Sequence, residues 1–160
     1  MENKLIKVLI VDDSQVACEL LKHILESDPD IIVVGVCNNG VEALSWLTTN
    51  SVDVITMDVV MPKFNGFEVT RKIMETSPVP IVIITSTYNE NNTIQSFRSM
   101  EAGALAILEK PSGPGDPSFL ENSNLIIQTV KTVKEIKLVK RTLSSKIART
   151  ITISDNKTVH

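Results

Sequence analysis

Five polar side chains close four of the short apolar runs in this 160-residue chain. Asp12 and Asp13 follow the run at 8–11, Asp58 follows 54–57, Thr85 follows 81–84, and Lys110 follows 106–109. If those runs are parallel strands, their carboxyl ends share one crevice, where functional groups gather in an open α/β sheet. Three carboxylates, a hydroxyl and an ammonium would then meet. Three clustered carboxylates repel one another unless a cation bridges them. Ligation by a few oxygens suits Mg2+, which keeps several waters and pairs with phosphate oxygens. The plainer reading of Asp12-Asp13 is a cap on the next helix; the joint placement with Asp58, Thr85 and Lys110 favours the metal. Asp58 is the carboxylate placed to act as a nucleophile, accepting a phosphoryl group as an acyl phosphate. Such a transfer needs positioning and neutralisation of oxygen charge, which the metal, Lys110 and the Thr85 hydroxyl would supply.

The elements that must position these groups alternate along the chain. Residues 7–11 form a β-branched and leucine run of the kind buried on both faces. Ser14 is a suitable N-cap for a helix reaching about residue 27, with Val16, Leu20 and Ile24 at helical spacing. A strand at 31–37, a second helix turned in by Asn38-Asn39-Gly40, and a strand at 54–57 follow. Pro62 and Asn65-Gly66 mark a loop before a third helix at 67–76. A fourth strand ends at Thr85, a weaker helix covers 89–100, and a fifth strand covers 106–109. Asp116-Pro117 reads as the start of a fifth helix, with proline at its first position. The pattern predicts an α/β doubly wound five-stranded parallel sheet with five helices. The last helix is expected to extend into a linker, because Val130, Val133, Ile136, Val139, Leu143 and Ile147 continue the helical spacing. Run unbroken from Pro117, it would measure about 45 Å at about 1.5 Å per residue, too long to lie on a small sheet. Residues 1–135 form the main domain; residues 136–160 read as a basic linker helix and a disordered tail.

Composition narrows the function classes. The chain has 42% hydrophobic and 22% charged residues, as a globular domain does, and the small aromatic share predicts an aliphatic core. No apolar run reaches the ~18 residues of a membrane span, and no signal-like stretch opens the chain, so the expectation is a cytoplasmic protein. Cys18 and Cys37 make neither a disulfide framework nor a metal cluster and are expected to pack as small apolar groups. The net charge of −3 hides an asymmetry: residues 1–121 carry 8 basic and 17 acidic side chains, residues 122–160 carry 8 and 2. The distal lysines step by three around the helix and so read as a solvated linker face rather than a nucleic-acid surface.

With these residues in place, the chain resembles a response-regulator receiver domain of two-component signalling, a flavodoxin-like fold. The resemblance rests on Asp12-Asp13, the stretch from Asp58 through Val59-Val60-Met61-Pro62-Lys63-Phe64-Asn65-Gly66, Thr85-Ser86 and Lys110-Pro111. It covers about residues 5–135. It implies that Asp58 is phosphorylated by a partner histidine kinase and that Asp13, Asp58 and the Val60 backbone carbonyl ligate Mg2+, with Asp12 acting through water. It also implies a cis Lys110-Pro111 bond and slow self-dephosphorylation, with no other enzymatic activity. One departure stands out: Ile107 occupies the place, three residues before the lysine, where the family commonly has an aromatic ring that moves with the threonine.

The stretch 102–115 is similar to a narrower group, the receiver half of chemotaxis protein-glutamate methylesterases. That resemblance implies an output domain joined through the linker, beginning around 136–141. The hydrolase half is not in this sequence: no serine sits in a glycine-rich nucleophile turn, and neither His23 nor His160 has a triad context. A stand-alone regulator acting by protein–protein contact or dimerisation is the alternative, since the distal apolar stripe also allows pairing with a second copy. A small-molecule phosphatase or flavin protein is disfavoured, because no second aspartate lies two residues after Asp58 and no glycine-rich phosphate loop follows the first strand.

Overall fold

In the computed structural model, residues 4–61, 65–86, 98, 100–136 and 138 are described. The apolar runs form five parallel strands: β1 (Ile6–Val11), β2 (Ile31–Cys37), β3 (Val54–Met57), β4 (Ile81–Thr85) and β5 (Ala106–Glu109). Their order in the sheet is β2-β1-β3-β4-β5. Between them run α1 (Gln15–Glu26), α2 (Gly40–Thr49) and α3 (Gly66–Thr76), and α4 (Phe119–Val133) follows β5. The helix expected at 89–100 lies largely outside the described residues, although Arg98 and Met100 to Ala102 are helical.

Alternation along the strands feeds two cores. Val8 and Ile10 of β1, with Val82 and Ile84 of β4, pack with α1 and α4. Leu9, Val11, Ile55, Met57, Ile81 and Ile83 point the other way and pack with α2 and α3. Almost all are fully buried, which is why these strands read as unbroken apolar runs. On the edge strand β2, the register with β1 shifts after Val8. There a Cβ on Gly35 would come within 2.9 Å of the Trp46 indole ring, so glycine lets α2 lie close on the strand. Both cysteines are free and buried; burial raises the Cys18 thiol to about 11 and the Cys37 thiol to about 12.

Two expectations are corrected. The last helix does not begin at Pro117 or run on into the linker: it starts at Phe119 and ends at Val133. Asp116 folds the preceding turn, its Oδ1 accepting from the Ser118 backbone N–H at 2.8 Å and the Ser118 hydroxyl at 2.6 Å. Lys134 and Glu135 form a turn, and half-buried Leu138 packs against the α2–α3 core, so an apolar contact on the opposite face wins over helical continuation. Of the linker helix and tail expected at 136–160, Ile136 and Leu138 are described and are not helical, and the rest lies outside the described residues. The second correction concerns Lys110–Pro111, which is trans: no described peptide bond is cis. Among the described residues no helix is long and apolar enough to cross a membrane.

Candidate functional site

The strand order reverses between β1 and β3, and the acidic residues stand at that switch point. The Val11 carbonyl accepts from the Asp58 N–H at 3.0 Å, locking the end of β3 to the end of β1. One carboxylate oxygen from each of Asp12, Asp13 and Asp58 lies within 4.8 Å of the others. Asp12 and Asp58 are buried, 1% and 4% exposed, while Asp13 faces solvent. Lys110 enters from β5, its Nζ 2.8 Å from Asp12 Oδ2 and 3.2 Å from Asp58 Oδ2. Thr85 ends β4, the strand between them, and its carbonyl accepts from the Lys110 N–H at 2.9 Å. Sequence reasoning therefore placed all five side chains at one rim, and the structure brings four of them into direct proximity with Thr85 alongside.

Asp12 and Asp58 each divide their oxygens between holding the backbone and facing Lys110. Asp12 Oδ1 accepts from the Ser14 N–H at 2.9 Å, and Ser14 itself caps α1 by accepting from the Ala17 N–H at 3.2 Å. The helix cap is thus Ser14, and Asp12 Oδ2 is left for Lys110. Asp58 Oδ1 accepts from the Val60 N–H at 3.1 Å, leaving Oδ2 toward Lys110. The Val60 side chain is exposed beside it.

The charges do not balance: three carboxylates face one ammonium. Burial pushes Asp58 above its ordinary carboxylate value, outweighing the pull of the Lys110 charge and the Val60 N–H. Burial also opposes the charge of Lys110, but the Asp12 hydrogen bond and the Asp58 and Asp12 charges outweigh it and raise its value. Lys110 is therefore a firmly held cation, and the cluster keeps a surplus of two negative charges. An all-oxygen donor set with that surplus fits a divalent cation, with Asp12, Asp13 and Asp58 as the residues to hold it. Thr85 Oγ1 is buried with no hydrogen-bond partner, as are the hydroxyls of Thr56, Thr70 and Ser123 in the core. A buried hydroxyl without a partner is costly, and at the rim an incoming oxyanion could supply one.

Gly66, which the sequence marks as a loop residue and as the end of the receiver-like stretch, is seated directly against the Asp58 loop. A Cβ there would lie 2.6 Å from the Asp58 carbonyl oxygen and 2.7 Å from Val59 Cα. The Gly66 N–H also donates to the Val59 carbonyl at 3.1 Å, so the start of α3 is seated on the Asp58 loop. Asn65, whose Oδ1 caps α3 through the Glu68 N–H at 2.9 Å, completes the Asn-Gly signal. Ile107 packs half-buried against the α2–α3 core.

Comparison with known proteins agrees with this geometry. The family model for the response regulator receiver domain matches residues 8–117. A relative from Syntrophus aciditrophicus (strain SB), a protein-glutamate methylesterase/protein-glutamine glutaminase, is 48% identical over 137 residues, 86% of this chain but 39% of the relative's length. The crystal structure of the response regulator domain of Thermotoga maritima CheB has 31% identity and a TM-score of 0.74, covering 84% of this chain and 99% of that one. A chain in the structure of the P1 domain of CheA3 in complex with CheY6 from R. sphaeroides has 26% identity and a TM-score of 0.68, covering 83% and 99%.

Proposed function

Because the chain belongs to the response regulator receiver family, we propose that Asp58 accepts a phosphoryl group from a phosphohistidine on a partner histidine kinase. A carboxylate oxygen of Asp58 attacks phosphorus in line with the departing imidazole. The new phosphorus–oxygen bond makes an acyl phosphate as the phosphorus–nitrogen bond breaks, and the imidazole leaves with a proton from solvent. Asp12, Asp13, Asp58 and the Val60 carbonyl would hold Mg2+, which when bound supplies charge neutralisation on the phosphoryl oxygens. Lys110 moves its ammonium from Asp58 Oδ2 to a phosphoryl oxygen, and Thr85 gives that group the hydrogen bond its hydroxyl lacks. Slow attack by water on the acyl phosphate returns the domain to its starting state.

The observation that carries this reading is Lys110 Nζ seated between Asp12 and Asp58 beside the unpartnered Thr85 hydroxyl. The chain spans about 39% of the length of the methylesterase relative described above. We therefore infer that it corresponds to the regulatory part of a chemotaxis methylesterase, with residues 1–135 as receiver and 136–160 as connection to an output domain. The assembly of a P1 domain with CheY6 in the R. sphaeroides structure supports a kinase domain as the donor. Incubation with Mg2+ and a small phosphoryl donor such as acetyl phosphate should add the mass of one phosphoryl group. Asp58→Asn should abolish that addition, and an Asp58→Asn protein that labels as the wild type does would refute the assignment.

A further inference from the structure

Asp12 and Asp13 are adjacent, and one planar peptide unit links them. A carboxylate branches from each end of that unit, so turning the plane re-aims both. Its carbonyl oxygen belongs to Asp12, and the Cys18 thiol donates to it, with Sγ 3.3 Å away. The other polar groups of Asp12 are also engaged. Its N–H donates to the Cys37 carbonyl at 3.0 Å, its Oδ1 accepts from the Ser14 N–H at 2.9 Å, and its Oδ2 lies 2.8 Å from Lys110 Nζ. Asp12 is buried, so a carbonyl freed from the thiol would have no water to turn to and would be left costly and unpaired. The donor itself is well held. Cys18 makes the first hydrogen bond of α1, its N–H donating to the Ser14 carbonyl at 3.0 Å, and its buried side chain shares the core with Leu21, Ile24 and Leu25. Cys18 therefore packs as a small apolar group, as its sequence predicts, and also directs a bond at the main chain of the acidic rim.

We propose that Cys18 is a positioning residue for the cation: by holding the Asp12 carbonyl, its thiol fixes the peptide plane from which the Asp12 and Asp13 carboxylates project toward Mg2+. This rests on the metal-binding role given to Asp12, Asp13 and Asp58 above. Asp12 has further anchors in Ser14 and Lys110. Asp13 faces solvent, so its aim depends most on the plane. The oxygen of Asp13 within 4.8 Å of those of Asp12 and Asp58 is the one a turned plane would carry away.

The test measures Mg2+ affinity by isothermal titration calorimetry, with no phosphoryl donor present, in wild type, Cys18→Ser, Cys18→Val and Cys18→Ala. Serine keeps a donor in a smaller side chain, whereas valine keeps the bulk and loses the donor. Cys18→Val and Cys18→Ala should weaken Mg2+ binding about three- to tenfold, less than loss of a strong outer-shell partner because a thiol donates weakly. Cys18→Ser should stay within about twofold of wild type, because the donor is restored. Melting curves without metal verify that each variant is folded. A side chain that only fills space would rank the variants by volume, with Cys18→Val nearest wild type. Wild-type affinity in Cys18→Val, or a loss in Cys18→Ser as large as that in Cys18→Val, would overturn the proposal. Failure of the wild type itself to bind Mg2+ would instead refute the metal-site reading on which it rests.

Discussion

Replacing Lys110 with methionine removes the ammonium but keeps the length and flexibility of the side chain. In metal-free buffer the change leaves Asp12 and Asp58, 1% and 4% exposed, facing each other without their shared cation. At separations of 2.8 and 3.2 Å, each lost attraction is about 5–6 kcal/mol at an effective dielectric of about 20. The full loss is not realised, because one carboxylate can escape by taking a proton. From an ordinary carboxylate value near 4, that costs about 4 kcal/mol at pH 7. The desolvation of Lys110, which its removal relieves, lowers the net penalty to about 2–4 kcal/mol. For a domain of this size that lowers Tm by about 6–15 °C.

The sign with pH follows from Asp58. Its value is raised in the folded state, so the folded protein binds that proton more tightly, and stability falls as pH rises through the window above the ordinary carboxylate value. Removing Lys110 widens the window, since the coulombic pull downward is gone. The Lys110→Met penalty should therefore shrink to about 1–2 kcal/mol at pH 5, where protonation is cheap. Adding Asp58→Asn to Lys110→Met should recover most of the loss, because only one buried carboxylate remains. Melting curves in EDTA at the two pH values decide the matter. A wild-type Tm for Lys110→Met at pH 7, or an equal loss at both values, would show that Lys110 does not hold the charge of this cluster.

Three further outcomes follow from the same structure. Gly66→Ala forces a methyl group to within 2.6 Å of the Asp58 carbonyl, so it should cost about 1–3 kcal/mol in urea melts and lower the acetyl phosphate labelling rate. Asp28 is held below its ordinary value, first by the hydrogen bond from Lys131, at 2.7 Å. A depressed carboxylate contributes stability above its unfolded value and loses it as pH falls through the folded one, so the Tm difference between wild type and Asp28→Asn should hold at neutral pH and vanish in acid. It should also narrow at high salt. Leu138→Ala should cost about 1–2 kcal/mol, below the range of a fully buried leucine because Leu138 is half-buried; no change in Tm would remove the contact with the α2–α3 core.

The strands and the rim were legible in the sequence because both are written in residue type. Strands buried on both faces must be continuously apolar, and the polar residue that ends each one is conspicuous. Asp12, Asp13, Asp58, Thr85 and Lys110 were all found that way. The seating of Gly66 was less visible: a glycine needed for close approach looks the same as one needed for a turn. Periodicity misled at the distal helix. Val133, Ile136 and Val139 keep helical spacing whether the helix continues or not. Whether it continues is decided by whether Leu138 has an apolar surface to reach, and that depends on tertiary packing. The Arg98 guanidinium lies 5.0 Å from the centroid of the Phe67 ring, a contact illegible for the same reason, since no sequence pattern links the two positions.

The turn at Lys134 has a consequence for how a signal could leave this domain. Lys131, near the end of α4, bonds Asp28 and Asp30, which stand just before β2, so the helix finishes where strands begin. Leu138, seven residues later, has crossed to the α2–α3 face. The end of α4 is thus anchored at the pole away from Asp58, separated from it by the length of a strand, about 15 Å. The acidic rim and the last turn of α4 therefore stand at opposite ends of the sheet, and a change at Asp58 reaches Lys131 only through the strands and helix packed between them.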